Sequence, residues 1–248
     1  IKGPFNIQYL VKNGEVFVIE CNLRSSRSMP FVSKTVGKNL MDLAASAILG
    51  EKIEEGEGHS EKFCVKSPQF SFMRLEGADP VTGVEMVSTG EVACFGDSFE
   101  AALLKSLLAS GMVLPKSGDS ILISVGGEKA KAVAIMKRIA SNGYTIFATE
   151  HTAQALRRNG IQCESIYKIS EGKNPNVLDF LLERKLNFVI NTPHPQKIDL
   201  QAITDGYQIR RKAVEFGIPI ITNLELAASL ANALQNHFKN DLNLKSAI

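Results

Sequence analysis

The sequence predicts an α/β protein that ends in a doubly wound, five-stranded parallel sheet. Five short apolar stretches alternate with helical patterns after residue 118, an alternation typical of parallel strands joined by helical crossovers. Near the start of the chain, Asn13-Gly14 separates two apolar runs and predicts a β-hairpin. These two patterns indicate a mixed α+β region followed by an α/β domain.

The C-terminal half alternates strand and helix throughout. Right-handed crossovers between its parallel strands would cover both faces of the sheet with helices. The predicted strands are residues 121–125, 145–148, 164–167, 188–191 and 219–222, and the predicted helices cover about 129–141, 151–159, 176–185, 200–216 and 224–236.

The N-terminal half has a less regular pattern. Its hairpin is followed by a polar loop that is rich in Arg and Ser, and after that the spacing of apolar residues is alternately helical and strand-like. The predicted elements are the hairpin at 5–21, a helix at 39–49, short strands within 63–96 and a helix at 98–109.

The domain boundary is predicted just after the second of these helices. Pro115-Lys116-Ser117-Gly118 has the composition of a linker. We therefore expect a first domain at residues 1–116 and a second at 117–248. We also expect the helix at 98–109 to pack against both domains, because it is the covalent route between them.

Composition and charge narrow the class of protein. The 248 residues carry 28 Lys and Arg against 26 Asp and Glu, a net charge of +2 that predicts no nucleic-acid or membrane partner. The four cysteines lie far apart without a CxxC pair, which predicts neither a zinc site nor a disulfide framework and favours a cytoplasmic location. Because the chain opens on Ile1 inside strand-like sequence, we expect a fragment of a longer protein.

The first candidate site lies at the end of the second hairpin strand. Glu20 and Asn22 are two residues apart, so a strand would present both oxygen ligands on one face. Mg²⁺ prefers oxygen ligands and usually shares its shell with phosphate oxygens. Arg24 and Arg27 follow and are suited to neutralising a polyphosphate. The alternative is a solvated strand end that leads into a polar loop.

Several colinear segments resemble the large subunit of carbamoyl-phosphate synthase. Gly3–Gln8, Val18–Ser28 and Pro30–Lys34 look like the end of its second ATP-grasp module, and Glu85–Val92 resembles that family's EMxSTGEV run. The resemblance covers essentially the whole chain. It implies a ligase that phosphorylates carbamate with ATP and Mg²⁺ or Mn²⁺, giving carbamoyl phosphate for pyrimidine and arginine synthesis.

The resemblance also implies roles for particular residues. Gln8, Glu20 and Asn22 match the metal ligands that bridge ATP phosphates, so that Gln8 and Glu20 also count as cofactor-binding residues. Arg24 and Arg27 match the catalytic arginines near the phosphates. The implied partners are the rest of the large subunit and a glutamine amidotransferase subunit or domain. Because no earlier ATP-grasp subdomain precedes Ile1, we expect no turnover by this chain alone.

A shared metal site makes a prediction about hairpin register. A two-residue turn at Asn13-Gly14 pairs residues whose numbers sum to 27, which places Gln8 opposite Ile19. Glu20 would then face away from Gln8, since a one-residue slip exchanges the faces of a strand. We therefore expect a bulge or an odd loop that brings Gln8 opposite Glu20.

The second candidate site lies in the C-terminal domain. Thr149 and Thr152 follow a predicted strand and open a helix, where hydroxyl and backbone N–H groups form an anion pocket. The alternative is simple N-capping by a threonine. The domain resembles the methylglyoxal synthase-like domain that ends carbamoyl-phosphate synthases. That resemblance implies effector-binding roles for Lys129, Thr149, Thr152, Lys168, Asn191 and Thr192.

The implied effector is a nucleotide or another phosphorylated small molecule. Enzymes of the family that sense N-acetylglutamate use a tryptophan and several asparagines, where this chain has Tyr167, His194 and Gly206. Ornithine-activated enzymes carry a Glu where Ser67 stands. Both effectors are therefore disfavoured.

Two alternatives to the ligase remain. The isolated chain could act only as a regulatory module that binds a phosphorylated ligand. The domain could also be a methylglyoxal synthase-type lyase, although Glu171-Gly172-Lys173-Asn174 stands where that family has a GGDQQ-like segment.

Three charged features outside these sites are interpreted structurally. The run Arg210-Arg211-Lys212 is predicted to be a solvated helix face whose aliphatic stems pack on the sheet, with contact to phosphate or a neighbouring domain as the alternative. Glu85 and Glu91 flank turn-forming residues and are predicted to have structural roles.

Overall fold

The computed structural model describes residues 1–83, 85–127, 129–193 and 204–237. The chain divides into two compact units, Ile1–Cys64 and Val65–Ile248. This division precedes the predicted boundary at 116/117, because residues 65–116 pack with the helices of the five-stranded sheet. That two functional domains meet at 116/117 stays a prediction.

The first unit consists of a β-ribbon and two helices. Its turn residues Asn13 and Gly14 have φ angles of 53° and 81°, as the predicted tight hairpin requires. Asn39 caps the second helix by accepting from the backbone N–H groups of Met41 and Asp42. The elements are β1 (Asn6–Lys12), β2 (Glu15–Asn22), α1 (Met29–Val36) and α2 (Leu40–Leu49).

A strand pair and a helix come next in the chain, and apart from the first two residues of β3 they belong to the second unit. Strands β3 (Phe63–Gln69) and β4 (Gly90–Gly96) pair with each other, and α3 (Phe99–Ala109) follows. A 3₁₀ turn at Phe72–Arg74 lies between the two strands. Helix α3 contacts β4, which precedes the predicted boundary, and the last helix of the chain, which follows it. All three elements lie in the second unit, so a contact between two domains stays a prediction.

The remaining residues form the predicted five-stranded sheet. Its strand order is β7-β6-β5-β8-β9, and every neighbouring pair is parallel. The elements are β5 (Ser120–Val125), α4 (Lys129–Ala140), β6 (Thr145–Thr149), α5 (Glu150–Arg158), β7 (Glu164–Ile166), α6 (Val177–Leu182), β8 (Phe188–Thr192), α7 (Asp205–Glu215), β9 (Ile220–Ile221) and α8 (Leu224–His237).

Helices cover both faces of this sheet. Side chains that alternate along each strand divide into two buried clusters, as expected for a sheet covered on both sides. One cluster joins the sheet to α3, α4, α5 and α8, and the other joins it to α6 and α7. In the described part of the chain, no helix has the length and apolar character of a membrane span.

Candidate functional site

The register of the β1–β2 ribbon is the one that a shared metal site requires. Near the turn, Tyr9 pairs with Val18, and these numbers sum to 27. A bulge at Ile19 then shifts the pairing, so that Gln8 lies opposite Glu20. Directly opposed residues share a face in an antiparallel pair. The register prediction is therefore confirmed, with the bulge as its cause.

The bulge collects several oxygen-bearing side chains at one end of the ribbon. Asn22 Nδ2 donates to Glu20 Oε1 at 2.9 Å, so these two side chains lie side by side. Asn6 pairs with Asn22 and adds a fourth polar residue that sequence reasoning missed. This donor set consists of amide and carboxylate oxygens and suits Mg²⁺, although one carboxylate leaves most of the charge to be balanced by phosphate. Across the described residues, no group of three His, Cys, Asp or Glu forms a metal cluster.

Both predicted arginines lie in the loop between β2 and α1. The backbone N–H of Arg24 donates to Asn22 O at 2.9 Å, which ties the start of the loop to the strand end. The side chains of Arg24 and Arg27 are exposed. The loop therefore presents two cations immediately beyond the oxygen-bearing strand end.

The second candidate site lies at the carboxyl edge of the five-stranded sheet. The chain proceeds from β5 to β6 and β7 on one side, and then returns to β8 and β9 on the other. Such a reversal creates a crevice between the two central strands, where ligands bind in open α/β sheets. Ser124 and Asn191 are paired in β5 and β8 at this crevice.

A row of polar side chains crosses the carboxyl ends of three strands. The hydroxyls of Ser124 and Thr149 lie 3.0 Å apart, and Asn191 Nδ2 donates to Ser124 O at 3.1 Å. Thr149 and Asn191 are both buried. The structure thus brings predicted residues from β6 and β8 into one hydrogen-bonded row.

The two threonines of the TxxT segment do more than cap a helix. Thr149 is the N-cap residue of α5, but within the described residues its side chain makes no capping hydrogen bond. Thr152 Oγ1 instead accepts from the backbone N–H of Val125 at 3.4 Å. Because Thr149 bonds to Ser124, the first N–H groups of α5 remain uncapped by its side chain and suit an anion.

Thr192 supplies an unpaired polar atom at the same edge. Its Oγ1 is buried and has no hydrogen-bond partner among the described residues. Buried hydroxyls are normally hydrogen-bonded, and exceptions often mark a site for a ligand or ion. The backbone carbonyl of Thr192 accepts from Gly126 N at 3.0 Å, which holds the end of β8 against the β5–α4 loop.

Two predicted lysines reach the site from different elements. Lys129 at the start of α4 donates to the carbonyl of Val125. Its pKa is lowered from 10.5, first by burial and second by the positive charge of Lys168. Lys168 follows β7 and Lys129 follows β5, so two different elements bring like charges close enough to interact. An anion between them would relieve this repulsion.

The interpretation of Arg210 and Arg211 as a solvated face is wrong. Both arginines are buried, at 4% and 6% exposure. Arg210 Nε and Nη2 donate to the two carboxylate oxygens of Asp79 at 2.7 and 2.5 Å. Arg211 Nη1 donates to the backbone carbonyls of Phe72, Leu75 and Ala78 at 3.0, 2.8 and 3.2 Å.

The contacts of Arg210 with Asp79 and of Arg211 with the three carbonyls could not be found from local sequence, because these partners lie more than 100 residues away. A structural role for Glu91 was also predicted, and Glu91 does form an ion pair, with Lys66 Nζ 3.0 Å from Glu91 Oε2.

Of the residues that bear on N-acetylglutamate, His194 lies outside the described residues. Tyr167 is partly exposed, with Lys173 Nζ 5.1 Å from its ring centroid.

Comparison with known proteins finds relatives that match the chain along its whole length. Residues 131–222 match the MGS-like domain. The chain is 40% identical to multifunctional protein URA2 of Saccharomyces cerevisiae, over 100% of this chain and 12% of that protein. It is 38% identical to the human mitochondrial carbamoyl-phosphate synthase [ammonia], over 97% and 17% of the respective lengths.

A bacterial relative gives the same result. The carbamoyl phosphate synthase large chain of Lachnoclostridium phytofermentans is 39% identical, over 98% of this chain and 23% of that protein. The chain therefore spans less than a quarter of the length of these relatives. It is homologous along its whole length to the C-terminal region of carbamoyl-phosphate synthases, and it carries their MGS-like domain.

Proposed function

We propose that this chain is the end of a carbamoyl-phosphate-forming module together with its effector domain. In the full-length protein, a carbamate oxygen would attack the terminal phosphorus of ATP, releasing ADP and giving carbamoyl phosphate. The observation that carries this proposal is the bulge at Ile19, which brings Gln8 opposite Glu20. Without it, the three proposed ligands would divide between two faces of an exposed ribbon.

The proposed catalytic contribution of the chain is positioning and charge neutralisation. Mg²⁺, or Mn²⁺, would neutralise phosphate charge while held by Gln8, Glu20 and Asn22. The Asn22–Glu20 hydrogen bond fixes the orientation of the carboxylate before any ligand binds. Arg24 and Arg27 would add positive charge beside the transferred group, where charge neutralisation contributes most to phosphoryl transfer.

Glutamate-to-glutamine exchange on β2 tests this part of the proposal. In the full-length protein, Glu20→Gln should lower ATP-dependent carbamoyl-phosphate formation by about 100-fold, since it removes the one carboxylate of the donor set. Glu15→Gln is the matched control, because Glu15 pairs with Lys12 at the turn end of the same strand. Equal activity of the two variants would contradict the proposal. An isotope assay with labelled bicarbonate measures the product directly.

The C-terminal domain is proposed to bind a phosphorylated effector at the crevice between β5 and β8. Support comes from the start of α5, which Thr149 does not cap with its side chain, from the two interacting lysines, and from the Thr192 hydroxyl, which has no partner within the described residues. All three features suit an anion with several acceptor oxygens. We propose that such binding regulates the synthetase, whose remaining large-subunit domains and amidotransferase would be the partners.

Paired lysine variants test the effector site. Lys129→Met should weaken the binding of inorganic phosphate to the whole chain by about 10-fold, measured by calorimetry, because it removes one of two converging charges. Lys131→Met is the matched control, since Lys131 lies on the same helix and faces Glu225 at 3.9 Å. Comparable loss in both variants would indicate general charge attraction and contradict a specific site.

A regulatory module without synthetase chemistry is the second candidate. It is favoured by the contrast in burial, since none of residues 1–64, all of which the structure describes, is buried. Phosphate binding by the whole chain without Mg²⁺–ATP binding would support this description. Calorimetry with each ligand separates the two candidates.

A lyase of the methylglyoxal synthase type is less well supported. Such chemistry needs a free carboxylate base beside the phosphate. Glu150 accepts from Ser165 at 2.5 Å, Glu171 from the backbone of Lys168 at 3.2 Å, and Asp205 from Ser170 at 2.6 Å. These carboxylates are therefore committed to structural hydrogen bonds. Methylglyoxal formation from dihydroxyacetone phosphate would revive the lyase.

A cytoplasmic location accompanies the proposal. All four cysteines are free, which suits a reducing compartment. One relative named above is mitochondrial, so the compartment is a separate proposal from the chemistry.

A further inference from the structure

A buried row of hydrogen bonds leads out of the effector crevice to residue 79. Asn191 Oδ1 accepts from Arg210 Nη1 at 2.8 Å, and the same guanidinium is held by both oxygens of Asp79. Asp79 lies between β3 and β4, outside the five-stranded sheet and outside the matched MGS-like segment. The Asp79 carboxylate is therefore linked to the crevice by hydrogen bonds through one side chain, that of Arg210.

This row fixes both ends of the Asn191 amide. Its oxygen accepts from Arg210, and its nitrogen donates to Ser124 O at 3.1 Å. Because Asn191 is 1% exposed, the protein rather than solvent decides its orientation. Arg210 can hold the amide in that orientation only if its own guanidinium group is fixed. The bidentate contact with Asp79 fixes the guanidinium group.

The space around Arg210 reinforces the arrangement. A Cβ added at Gly206 would lie 3.0 Å from Arg210 Nη1 and 3.6 Å from Asn191 Oδ1. Residue 206 therefore leaves just enough room for the guanidinium to reach the amide.

The segment that carries Asp79 is itself attached to α7. Three of its carbonyls accept from Arg211, and Tyr207 Oη donates to Gly77 O at 2.8 Å. Thr222 Oγ1 donates to Pro80 O at 3.5 Å. Residues 72–80, here named the strap, are thus held to α7 by several hydrogen bonds, and Asp79 is part of this segment.

We propose that Asp79 is a positioning residue for the effector site, acting through Arg210 on Asn191. The inference rests on the proposed effector function. It adds a residue of the strap that determines the geometry of the effector site. Within the described residues, Asp79 has no hydrogen bond to a predicted effector-binding residue. Its role is to hold the guanidinium that orients the amide.

Reciprocity follows from this linkage. If the strap stabilises the binding geometry of Asn191, a ligand that uses Asn191 must stabilise the strap by the same free energy. The strap lies between β3 and β4, which precede the effector domain in the chain. Occupancy of the crevice would therefore be sensed by a segment outside the five-stranded sheet.

Asparagine at position 79 tests the inference in the whole chain. Asp79→Asn keeps the size of the side chain but removes its charge, and should weaken inorganic phosphate binding by about 5- to 10-fold. Glu91→Gln is the matched control, because it also breaks an ion pair with a half-buried carboxylate, at 29% exposure against 33% for Asp79. The control should bind phosphate as the unmodified chain does.

Hydrogen exchange separates positioning from a merely structural role. In the unmodified chain, phosphate should slow exchange of the strap amides of Leu75 and Ala78, which already donate to the strap carbonyls of Phe72 and Leu75. In Asp79→Asn this protection should be lost, while it persists in Glu91→Gln. Asp79→Glu, which keeps the charge, should restore part of both effects, and it serves for comparison if the asparagine variant does not fold.

Each outcome has a distinct meaning. Phosphate binding of equal strength in the unmodified chain and in Asp79→Asn would overturn the positioning role while the effector proposal stands. Absence of phosphate binding to the unmodified chain would overturn the effector proposal and with it this inference. Strap protection that is unchanged in Asp79→Asn would also overturn the positioning role.

Discussion

The two compact units of this chain are folded by different means. Residues 1–64 have a tight turn, a paired ribbon and capped helices, yet none of these residues is buried. The second unit buries two large apolar clusters on the faces of its sheet. Turns and caps therefore define where elements begin and end in both units, but only the second gains the stability that burial provides.

The two proposed functions belong to different units. The proposed metal-ligand trio lies in the unit without buried residues, whereas the proposed effector crevice lies beside a dense core. Positioning in the first depends on a backbone bulge, and positioning in the second on buried side-chain hydrogen bonds. Substitutions in the two units should therefore differ sharply in their effect on stability.

Phenylalanine truncation should give the largest contrast. Phe188→Ala empties a site at 0% exposure in β8 and should lower the free energy of unfolding by about 3–5 kcal/mol. Phe17→Ala, at 47% exposure in β2, should change it by less than about 0.5 kcal/mol. Urea titration followed by circular dichroism measures both. Similar costs would mean that the ribbon contributes to a core after all.

Arginine truncation on α7 should have the next largest effect. Arg211→Ala removes the donor shared by three strap carbonyls and should destabilise the second unit by about 2–4 kcal/mol. Lys212→Ala is the neighbouring control, because its ion pair with Glu215 is exposed and should contribute less than about 0.5 kcal/mol. Chemical denaturation distinguishes the two. Equal effects would argue against the strap contacts.

The N-cap residues allow the same substitution to be made in both units. Asn39 caps α2 and Asn176 caps α6, each by accepting from two backbone N–H groups. Loss of such a cap costs about 1 kcal/mol, or roughly 5-fold faster amide exchange. Asn39→Ala should loosen α2 by this amount, whereas Asn176→Ala should loosen α6 less, since Val177 and Leu181 are fully buried. The reverse order in hydrogen exchange would contradict the comparison.

Alkaline pH should lower the stability of the second unit through Tyr144. Burial, and second the negative charge of Asp119, raise the pKa of Tyr144 from 10.0 to about 12. Because the folded-state pKa lies above the unfolded one, this stabilising contribution is complete below pH 10 and is lost as pH rises towards 12.

Tyr144→Phe tests the alkaline effect. Near neutral pH the variant should be less stable by about 1 kcal/mol, because the hydroxyl donates to Pro115 O at 3.2 Å. This difference should shrink between pH 10 and 12, since phenylalanine does not titrate. A constant difference across this pH range would contradict the assignment.

Most of the fold follows from local pattern. Where the structure describes them, the five strands and their helices end within a few residues of their predicted bounds, because alternation and apolar runs are local signals. Of the helix predicted at 200–216, residues 200–203 lie outside the described residues, and the helix begins at Asp205. The bulge at Ile19 was also predictable, since the chemistry of a shared site and the geometry of the Asn13-Gly14 turn demand different registers.

The buried arginines were not predictable in the same way. Three consecutive cations on a helix ordinarily face solvent, and the sequence near Arg210 gives no sign of Asp79 or of the strap carbonyls. Ser67 is a similar case, since its hydroxyl lies 2.7 Å from that of Ser106 in α3. Such pairings depend on tertiary contacts between distant segments, which composition and periodicity do not encode.

The bulge residue itself has a consequence for how this chain tolerates sequence drift. Ile19 is 56% exposed and lies opposite no residue of β1, so its chemical identity should be nearly free to vary. Deleting it would be another matter, because every residue from 20 to 22 would turn to the opposite side of the ribbon. At this position, we expect related chains to accept many amino acids but no gap.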